Sequence, residues 1–161
     1  MIKLVLCLSL LFLNNLGYAA EKADHVLVEK SKHLLTLFKK GKAIASYHVV
    51  FGGNPIGHKQ QEGDNRTPEG LYILDSKNSK SRFTKSIHIS YPNKADIASA
   101  KSRRVSPGGD IMIHGQPNGY GWAAEATQRT NWTLGCIALT NEDMEKVWQS
   151  VAVPTSIEIK P

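Results

Sequence analysis

Short apolar runs with turn-forming residues between them follow one another along the first third of the chain. In residues 25–29, 34–38 and 43–51, apolar side chains recur at alternate positions or in short blocks. An alternation with a period of two, bounded by turn residues, is typical of a half-buried β-strand. Residues 39–42 read Lys-Lys-Gly-Lys and favour a tight turn. The pattern therefore predicts three strands joined as an antiparallel meander.

The rest of the chain continues this mainly β pattern, with two long polar loops at residues 52–70 and 115–132. Loops of that length are uncommon in compact domains and are often functional. Further strands are predicted over residues 71–74, 86–90, 110–113, 136–139 and 157–159, and a short helix over residues 94–100. A longer helix is predicted to begin after Thr140, which with Asp143 resembles a capping box, and to end at Pro154.

The N-terminal segment has the layout of a secretory signal peptide. Lys3 precedes an apolar run over residues 4–13, and Gly17 and Ala19 supply the small residues of a cleavage site. The run is too short to span a bilayer comfortably, since a spanning helix needs about 20 apolar residues. Residues 1–19 are therefore predicted to be a signal peptide, with an uncleaved membrane anchor as the alternative. The mature chain, residues 20–161, is expected in the periplasm or cell envelope without a stable membrane span.

Composition is consistent with one exported domain. The chain has 161 residues, of which 41% are hydrophobic, so one domain with a sizeable core is expected. Its formal net charge of +6 favours an anionic partner such as a cell-wall polymer. The predicted export argues against nucleic acid as that partner.

The cysteine content limits the reactions that the mature chain could catalyse. Removal of the leader would also remove Cys7, which leaves Cys136 as the single cysteine of the mature chain. Such a cysteine is an intermolecular link, a free reactive thiol or an inert buried residue. A catalytic thiol needs a base, and His114 ends a predicted strand one loop before Cys136. By spacing alone this pair is a weak signal, because the chain has six histidines.

Other enzyme classes fit less well. In papain-like proteases the cysteine comes first and the histidine much later, whereas here the order is reversed. One cysteine and isolated histidines lack the spacing of zinc ligands, so no metal is predicted. Phosphate-binding and dinucleotide fingerprints are absent from the sequence, so no cofactor is predicted.

Several segments together resemble one enzyme family. Residues 113–115 read Ile-His-Gly and residues 133–139 read Thr-Leu-Gly-Cys-Ile-Ala-Leu, which resembles the catalytic signature of the YkuD-like L,D-transpeptidases. Residues 63–70, Gly-Asp-Asn-Arg-Thr-Pro-Glu-Gly, are similar to a second motif of that family. Residues 89–93 and 107–111 also look familial, so the resemblance extends from about residue 24 to the end of the chain.

The resemblance implies a YkuD-like β-sandwich with a short C-terminal helix and a few small helices. It implies a role in cell-wall biogenesis and cell shape, with the peptide stems of peptidoglycan as substrate. Cys136 would attack the carbonyl of an L-centre next to a D-residue and form a thioester, and His114 would be the base. Gly135 would belong to the oxyanion environment, the Thr133 hydroxyl would support the site, and Gly115 would shape the turn after the base.

One position departs from the family pattern. Ala138 stands where many members have an arginine, which puts donor and acceptor specificity in doubt; Arg103, Arg104 and Arg129 are candidates to replace it. Alternatives within the fold are an L,D-specific carboxypeptidase or an amidase that releases an envelope lipoprotein, which is a further possible partner. An inactive peptidoglycan-binding module is disfavoured by the presence of both Cys136 and His114.

Overall fold

The computed structural model describes residues 21–161, so the predicted signal peptide lies outside the described residues. The strands are β1 (Ala23–Glu29), β2 (Leu34–Lys39), β3 (Lys42–His48), β4 (Gly70–Asn78), β5 (Ser86–Ile89), β6 (Met112–His114), β7 (Ile137–Ala138) and β8 (Val151–Lys160). The α-helices are α1 (Lys94–Ser102), α2 (Ala124–Thr127) and α3 (Asn141–Ser150), and short 3-10 turns occur at Lys30–Lys32 and Gly121–Ala123. In residues 21–161 no helix is long and apolar enough to cross a membrane.

The strands form one sheet with the order β3-β2-β1-β8-β4-β5-β6-β7. β1, β2 and β3 pair antiparallel, so the predicted meander is confirmed. β8 returns from the C-terminal end to pair parallel with β1 and antiparallel with β4, which joins the meander to the second half of the sheet. The predicted mainly β fold with few helices is confirmed, and the two layers of the expected sandwich are parts of one continuous sheet.

The two ends of the sheet are brought together by the chain that leaves β3. Val50 forms an antiparallel bridge with Ala138 of β7, and Gly52 forms a parallel bridge with Thr133. This explains why the third strand ends at His48, although its alternating pattern continues to residue 51: the following residues change partner from β2 to the opposite edge of the sheet. The curved sheet thereby encloses a single core, and the turn before Cys136 is held against the first half of the domain.

Apolar side chains from both halves of the sheet fill this core. The fully buried large side chains are Phe51, Leu35, Leu37, Leu74, Ile87, Ile89, Ile113, Ile137, Leu139, Met144, Ile157 and Ile159. Burial of side chains of this size is the main favourable term that holds such a sheet closed, at roughly 1.5–3 kcal/mol each. Ile113 of β6 and Ile137 of β7 are paired neighbours within it, which ties the strands of the candidate site to the core.

Helix α3 covers the core near its end. The Thr140 hydroxyl accepts a hydrogen bond from the Asp143 N–H at 3.1 Å, so Thr140 is the N-cap as predicted. Of the predicted capping box only this half is formed, because the Asp143 side chain does not bond to the Thr140 N–H. Met144 and Val147 are its buried residues. The prediction that Pro154 ends this helix was wrong: α3 ends at Ser150, and Pro154 lies inside β8.

Two further boundaries differ from the predictions. Strand β6 begins at Met112 because Asp110 adopts a left-handed backbone conformation with φ of 54° that a strand cannot contain. The strand extends through His114, which pairs with Ser86 and Ala138. The loop predicted over residues 115–132 contains a 3-10 turn and the short helix α2. Both differences affect the surroundings of His114 rather than the sheet order.

Candidate active site

His114 is the last residue of β6 and is placed by strands on both sides. It pairs with Ser86 of β5 and with Ala138 of β7. Only 3% of its surface is exposed. The strand therefore holds its backbone, and burial limits the orientations that are open to the ring.

One hydrogen bond determines the tautomer of His114. Its Nδ1 lies 2.6 Å from the carbonyl oxygen of Gly115. A carbonyl can only accept, so Nδ1 carries the hydrogen and Nε2 presents a lone pair in the neutral ring. Burial lowers the pKa of His114, and the bond to the Gly115 carbonyl opposes this shift less strongly. The ring is therefore neutral at pH 7, with Nε2 able to accept a proton.

Aromatic side chains hold the imidazole in place. The Phe83 ring lies 4.5 Å from the His114 ring between centroids, and the Trp132 ring lies 5.8 Å away at a steep angle. These distances are in the range of favourable aromatic contacts. Phe83 and Trp132 also line the cavity in which the ring is found, so they belong to the site. Trp132 ends the long polar loop over residues 115–132, whose length indicates a functional role, whereas no sequence feature pointed to Phe83.

Cys136 lies directly before β7, in parallel register with β6. Ile113 pairs with Ile137 and His114 with Ala138, which places Cys136 opposite Met112. Side chains two residues apart along a strand point to the same face, so the thiol and the imidazole emerge on one side of the sheet. Both line the same cavity. The structure thus brings together the two residues that the sequence paired.

The Cys136 thiol is neutral in this environment. Burial raises its pKa; the backbone of Met112 and the ammonium of Lys59 lower it, and the carboxylate of Asp110 raises it. The Sγ lies 3.6 Å from the Asp110 carbonyl oxygen, a weak contact that suits a protonated thiol. Thiol and imidazole are therefore both uncharged before substrate binds, and the thiolate must be generated by proton transfer.

Thr133 and Gly135 shape the turn that presents the thiol. The Thr133 hydroxyl donates to the Cys136 carbonyl at 2.7 Å and accepts from the Gly135 N–H at 3.1 Å. Gly135 has a φ of 133°, and a Cβ there would lie 2.6 Å from the carbonyl oxygen of Arg66. The turn thus requires glycine for both conformation and space. The Gly135 N–H points to Thr133 in this structure, so its main contribution here is the absence of a side chain.

Gly115 follows the histidine in an equally narrow place. A Cβ at this position would lie 2.7 Å from Oδ1 of Asn141 and 3.2 Å from the carbonyl oxygen of Phe83. Its N–H donates to the Phe83 carbonyl at 3.1 Å. The missing side chain lets the chain turn close to β5 while its carbonyl accepts the hydrogen bond from His114.

Ala138, the position that departs from the resembled motif, lies inside the closed sheet. It is fully buried. Its N–H donates to the Val50 carbonyl at 2.9 Å, and its own carbonyl accepts from the Val50 N–H at 3.0 Å. The bridge that closes the sheet therefore runs through this residue.

The arginines considered as replacements make contacts elsewhere. Arg103 bonds to Gln60 and Ser99, and the exposed Arg129 pairs with Glu125. Arg104 is exposed at the end of α1. The arginine that does line the cavity of Cys136 and His114 is Arg82. Sequence reasoning missed it, because an arginine in a polar loop gives no local signal of its role.

In residues 21–161 no group of three or more histidine, cysteine, aspartate or glutamate side chains is arranged to hold a metal ion. The chemistry of this cavity is that of a thiol beside a neutral imidazole with a free Nε2. Such a pair can transfer a proton from sulfur to nitrogen as the sulfur attacks a carbonyl carbon. The arrangement supports acyl transfer through a thioester.

The comparisons with known proteins agree with this geometry. The sequence model of YkuD, the L,D-transpeptidase catalytic domain, matches residues 23–159. The chain is 28% identical over 133 residues to YafK of Escherichia coli K12, a candidate L,D-transpeptidase, a match that covers 79% of this chain and 46% of that protein.

Solved structures show the same fold. The helical cell shape determining protein Pgp2 of Campylobacter jejuni superposes with a TM-score of 0.67 at 28% identity, over 89% of this chain and 50% of that chain. Bd1075 of Bdellovibrio bacteriovorus superposes with a TM-score of 0.60 at 23% identity, over 87% of this chain and 48% of that chain. The chain therefore spans about half the length of these relatives. With the family model matched over most of its length, the chain belongs to the YkuD family of L,D-transpeptidase catalytic domains.

Proposed function

We propose that this domain is exported and is an L,D-transpeptidase that acts on the peptide stems of peptidoglycan through a thioester on Cys136. The observation that carries the proposal is that His114, whose Nδ1 donates to the Gly115 carbonyl, lines the same cavity as the Cys136 thiol and leaves Nε2 available to it. A neutral base can accept the thiol proton, whereas a protonated ring could not. The family membership supplies the substrate class.

In the first half-reaction, His114 Nε2 takes the proton of the Cys136 thiol as the sulfur attacks the carbonyl carbon of the L-centre. The tetrahedral intermediate then collapses, and the bond from carbon to the D-residue nitrogen breaks. The imidazolium donates its proton to that nitrogen, so the D-amino acid leaves as an amine and the acyl group remains on sulfur. Burial that keeps His114 neutral also favours return of this proton.

In the second half-reaction an amine attacks the thioester carbonyl. His114 Nε2 accepts a proton from the attacking nitrogen, and Cys136 leaves and is protonated again. An amine from a second stem gives a cross-link, and an amine on an envelope lipoprotein gives attachment. Water at the same position gives hydrolysis, so an acceptor must be oriented closely enough to compete with water.

A purified disaccharide tetrapeptide tests the proposal. The wild type should release the terminal D-residue and form dimers joined between third-position residues, detected by mass spectrometry. Cys136→Ala should abolish turnover, and His114→Gln should reduce it by about 10²–10⁴-fold because general-base help is lost. His25→Gln is the matched control, since His25 lies on β1 and bonds to Ser156 outside the cavity.

The products distinguish the alternatives. Tripeptide without dimer would assign the domain as an L,D-carboxypeptidase. Full turnover by Cys136→Ala would overturn the thioester mechanism. Absence of turnover by the wild type, together with binding of sacculi, would favour a peptidoglycan-binding module.

A further inference from the structure

The catalytic cavity carries one guanidinium whose role the thiol and imidazole do not explain. Arg82 and Asp110 are the charged side chains that line the cavity together with Cys136 and His114. Within residues 21–161 the Arg82 guanidinium makes no ion pair or hydrogen bond, whereas Arg129 is paired. An unpaired guanidinium at a substrate cavity has five N–H donors available to an anion.

The backbone of Arg82 is held firmly although its side chain is exposed. Its carbonyl accepts from the Asn118 N–H at 2.9 Å. The Asn118 amide group also donates to the Ser81 carbonyl at 3.1 Å and accepts from the Thr84 N–H at 2.8 Å. Asn118 therefore binds the backbone of Ser81, Arg82 and Thr84 in this loop. The backbone from which the guanidinium extends is therefore held in place.

The Arg82 backbone lies on the histidine side of the cavity. Phe83, the next residue, packs its ring 4.5 Å from the His114 ring. Asp110 lies on the cysteine side, with its carbonyl 3.6 Å from Sγ. In the proposed reaction His114 returns its proton to the nitrogen of the leaving D-residue, so the leaving group must sit beside His114. It therefore also sits beside the Arg82 loop.

A leaving group that is a single amino acid brings a carboxylate close to His114 and the Arg82 loop. Only its Cα separates the departing nitrogen from a terminal carboxylate. Arginine binds carboxylates through two parallel N–H bonds, which give both strength and orientation. A longer leaving group, or one with a terminal amide, has no anion at that distance.

Resting on the function proposed above, we propose that Arg82 binds the terminal α-carboxylate of the donor stem. This contact makes the domain selective for stems whose terminal carboxylate is free over stems in which it is blocked. The fully buried Ala138 cannot supply this charge. Position 82, on a different loop, supplies a guanidinium to the cavity.

The test compares two donors that differ in one group: a tetrapeptide stem with a free terminal D-alanine carboxylate, and the same stem with a terminal carboxamide. Wild-type kcat/KM should favour the acid by roughly 10- to 100-fold, the range expected for hydrogen bonds to a charged group. Arg82→Gln should lower turnover of the acid to that of the amide and leave the amide almost unchanged. Arg82→Lys should retain part of the preference, because it keeps the charge but not the two-pronged geometry.

Arg129→Gln is the matched control and should keep the wild-type preference. Thermal unfolding of Arg82→Gln should match the wild type, because only the backbone of this residue makes hydrogen bonds. Equal use of acid and amide by the wild type, or an equal loss on both donors in Arg82→Gln, would overturn the role of Arg82 and leave the thioester function intact. Failure of the wild type on both donors would overturn the proposed function and this inference with it.

Discussion

The hydroxyl of Thr133 bonds to the backbone of both Gly135 and Cys136 and so fixes the turn between them, and its removal should loosen the thiol. Thr133 is 5% exposed, and its Oγ1 bonds to the Cys136 carbonyl at 2.7 Å and to the Gly135 N–H at 3.1 Å. Thr133→Val has nearly the same shape but replaces the hydroxyl with a methyl group. A backbone carbonyl and a backbone N–H would then be left without their partner.

The magnitude follows from those two groups. Each buried polar group left unsatisfied costs about 1–3 kcal/mol, so Thr133→Val should destabilise the domain by about 2–6 kcal/mol before relaxation. For a domain of this size, each kcal/mol lowers the unfolding midpoint by about 2–4 °C, so a decrease of roughly 5–20 °C is expected. Thr133→Ser keeps the hydroxyl and loses one methyl group, which should cost about 0.5–1.5 kcal/mol.

Two measurements check this reasoning. Urea denaturation followed by circular dichroism gives the difference in unfolding free energy between the valine and serine variants. Turnover of the tetrapeptide donor below the unfolding transition shows whether Cys136 is still positioned, and the valine variant should lose more activity than the serine variant. Valine and serine variants that agree within about 0.5 kcal/mol, the scatter typical of surface substitutions, would refute the role of the hydroxyl.

Three further outcomes are expected. Gly135→Ala should destabilise the domain by at least about 2 kcal/mol more than Gly119→Ala, because both glycines have positive φ but only the Cβ at 135 meets a carbonyl oxygen, at 2.6 Å; equal midpoints would contradict this. Burial lowers the pKa of His114, so kcat/KM should rise with pH and level off at a pH below the ordinary histidine range. Burial raises the pKa of Cys136, so the rate of alkylation by iodoacetamide should rise only at a pH above the ordinary cysteine range. Half-maximal alkylation below pH 7 would contradict this reasoning. Burial raises the pKa of Asp64, but hydrogen bonds from a lysine and three backbone N–H groups outweigh it and lower the pKa from 3.8 to about 2. The stability lost in Asp64→Asn should therefore be full at pH 6 and shrink as the pH falls from about 4 towards 2, as urea midpoints would show.

Local patterns predicted most of the regular structure. Strands β1, β2 and β5 lie within two residues of the apolar segments that predicted them, and the Thr140 hydroxyl caps α3. The errors arise where tertiary contacts override local preference. A proline is not expected inside a strand from local sequence alone. The residues before and after Pro154 nevertheless pair with β1 and β4, so β8 continues through the proline.

The candidate site was predictable only in part for the same reason. His114 and Cys136 carry family motifs and lie on adjacent strands, so the sequence pointed to both. Arg82 and Phe83 enter the cavity from one loop, and Trp132 enters it from another. Their placement depends on contacts between distant segments, and no spacing along the chain encodes it.

The familial motif at residues 63–70 has a consequence for how variants of this domain should be interpreted. The Arg66 carbonyl lies against Gly135, and the Thr67 hydroxyl accepts from the Gly52 N–H at 3.3 Å. A Cβ on Gly52 would lie 2.1 Å from the carbonyl oxygen of Asn65 and 3.0 Å from the Cα of Gly135. The motif is therefore the surface on which the cysteine turn rests. Substitutions at Arg66 or Thr67 should therefore move the thiol through this turn, so a loss of turnover in such variants is evidence about positioning and does not identify a residue that takes part in the chemistry.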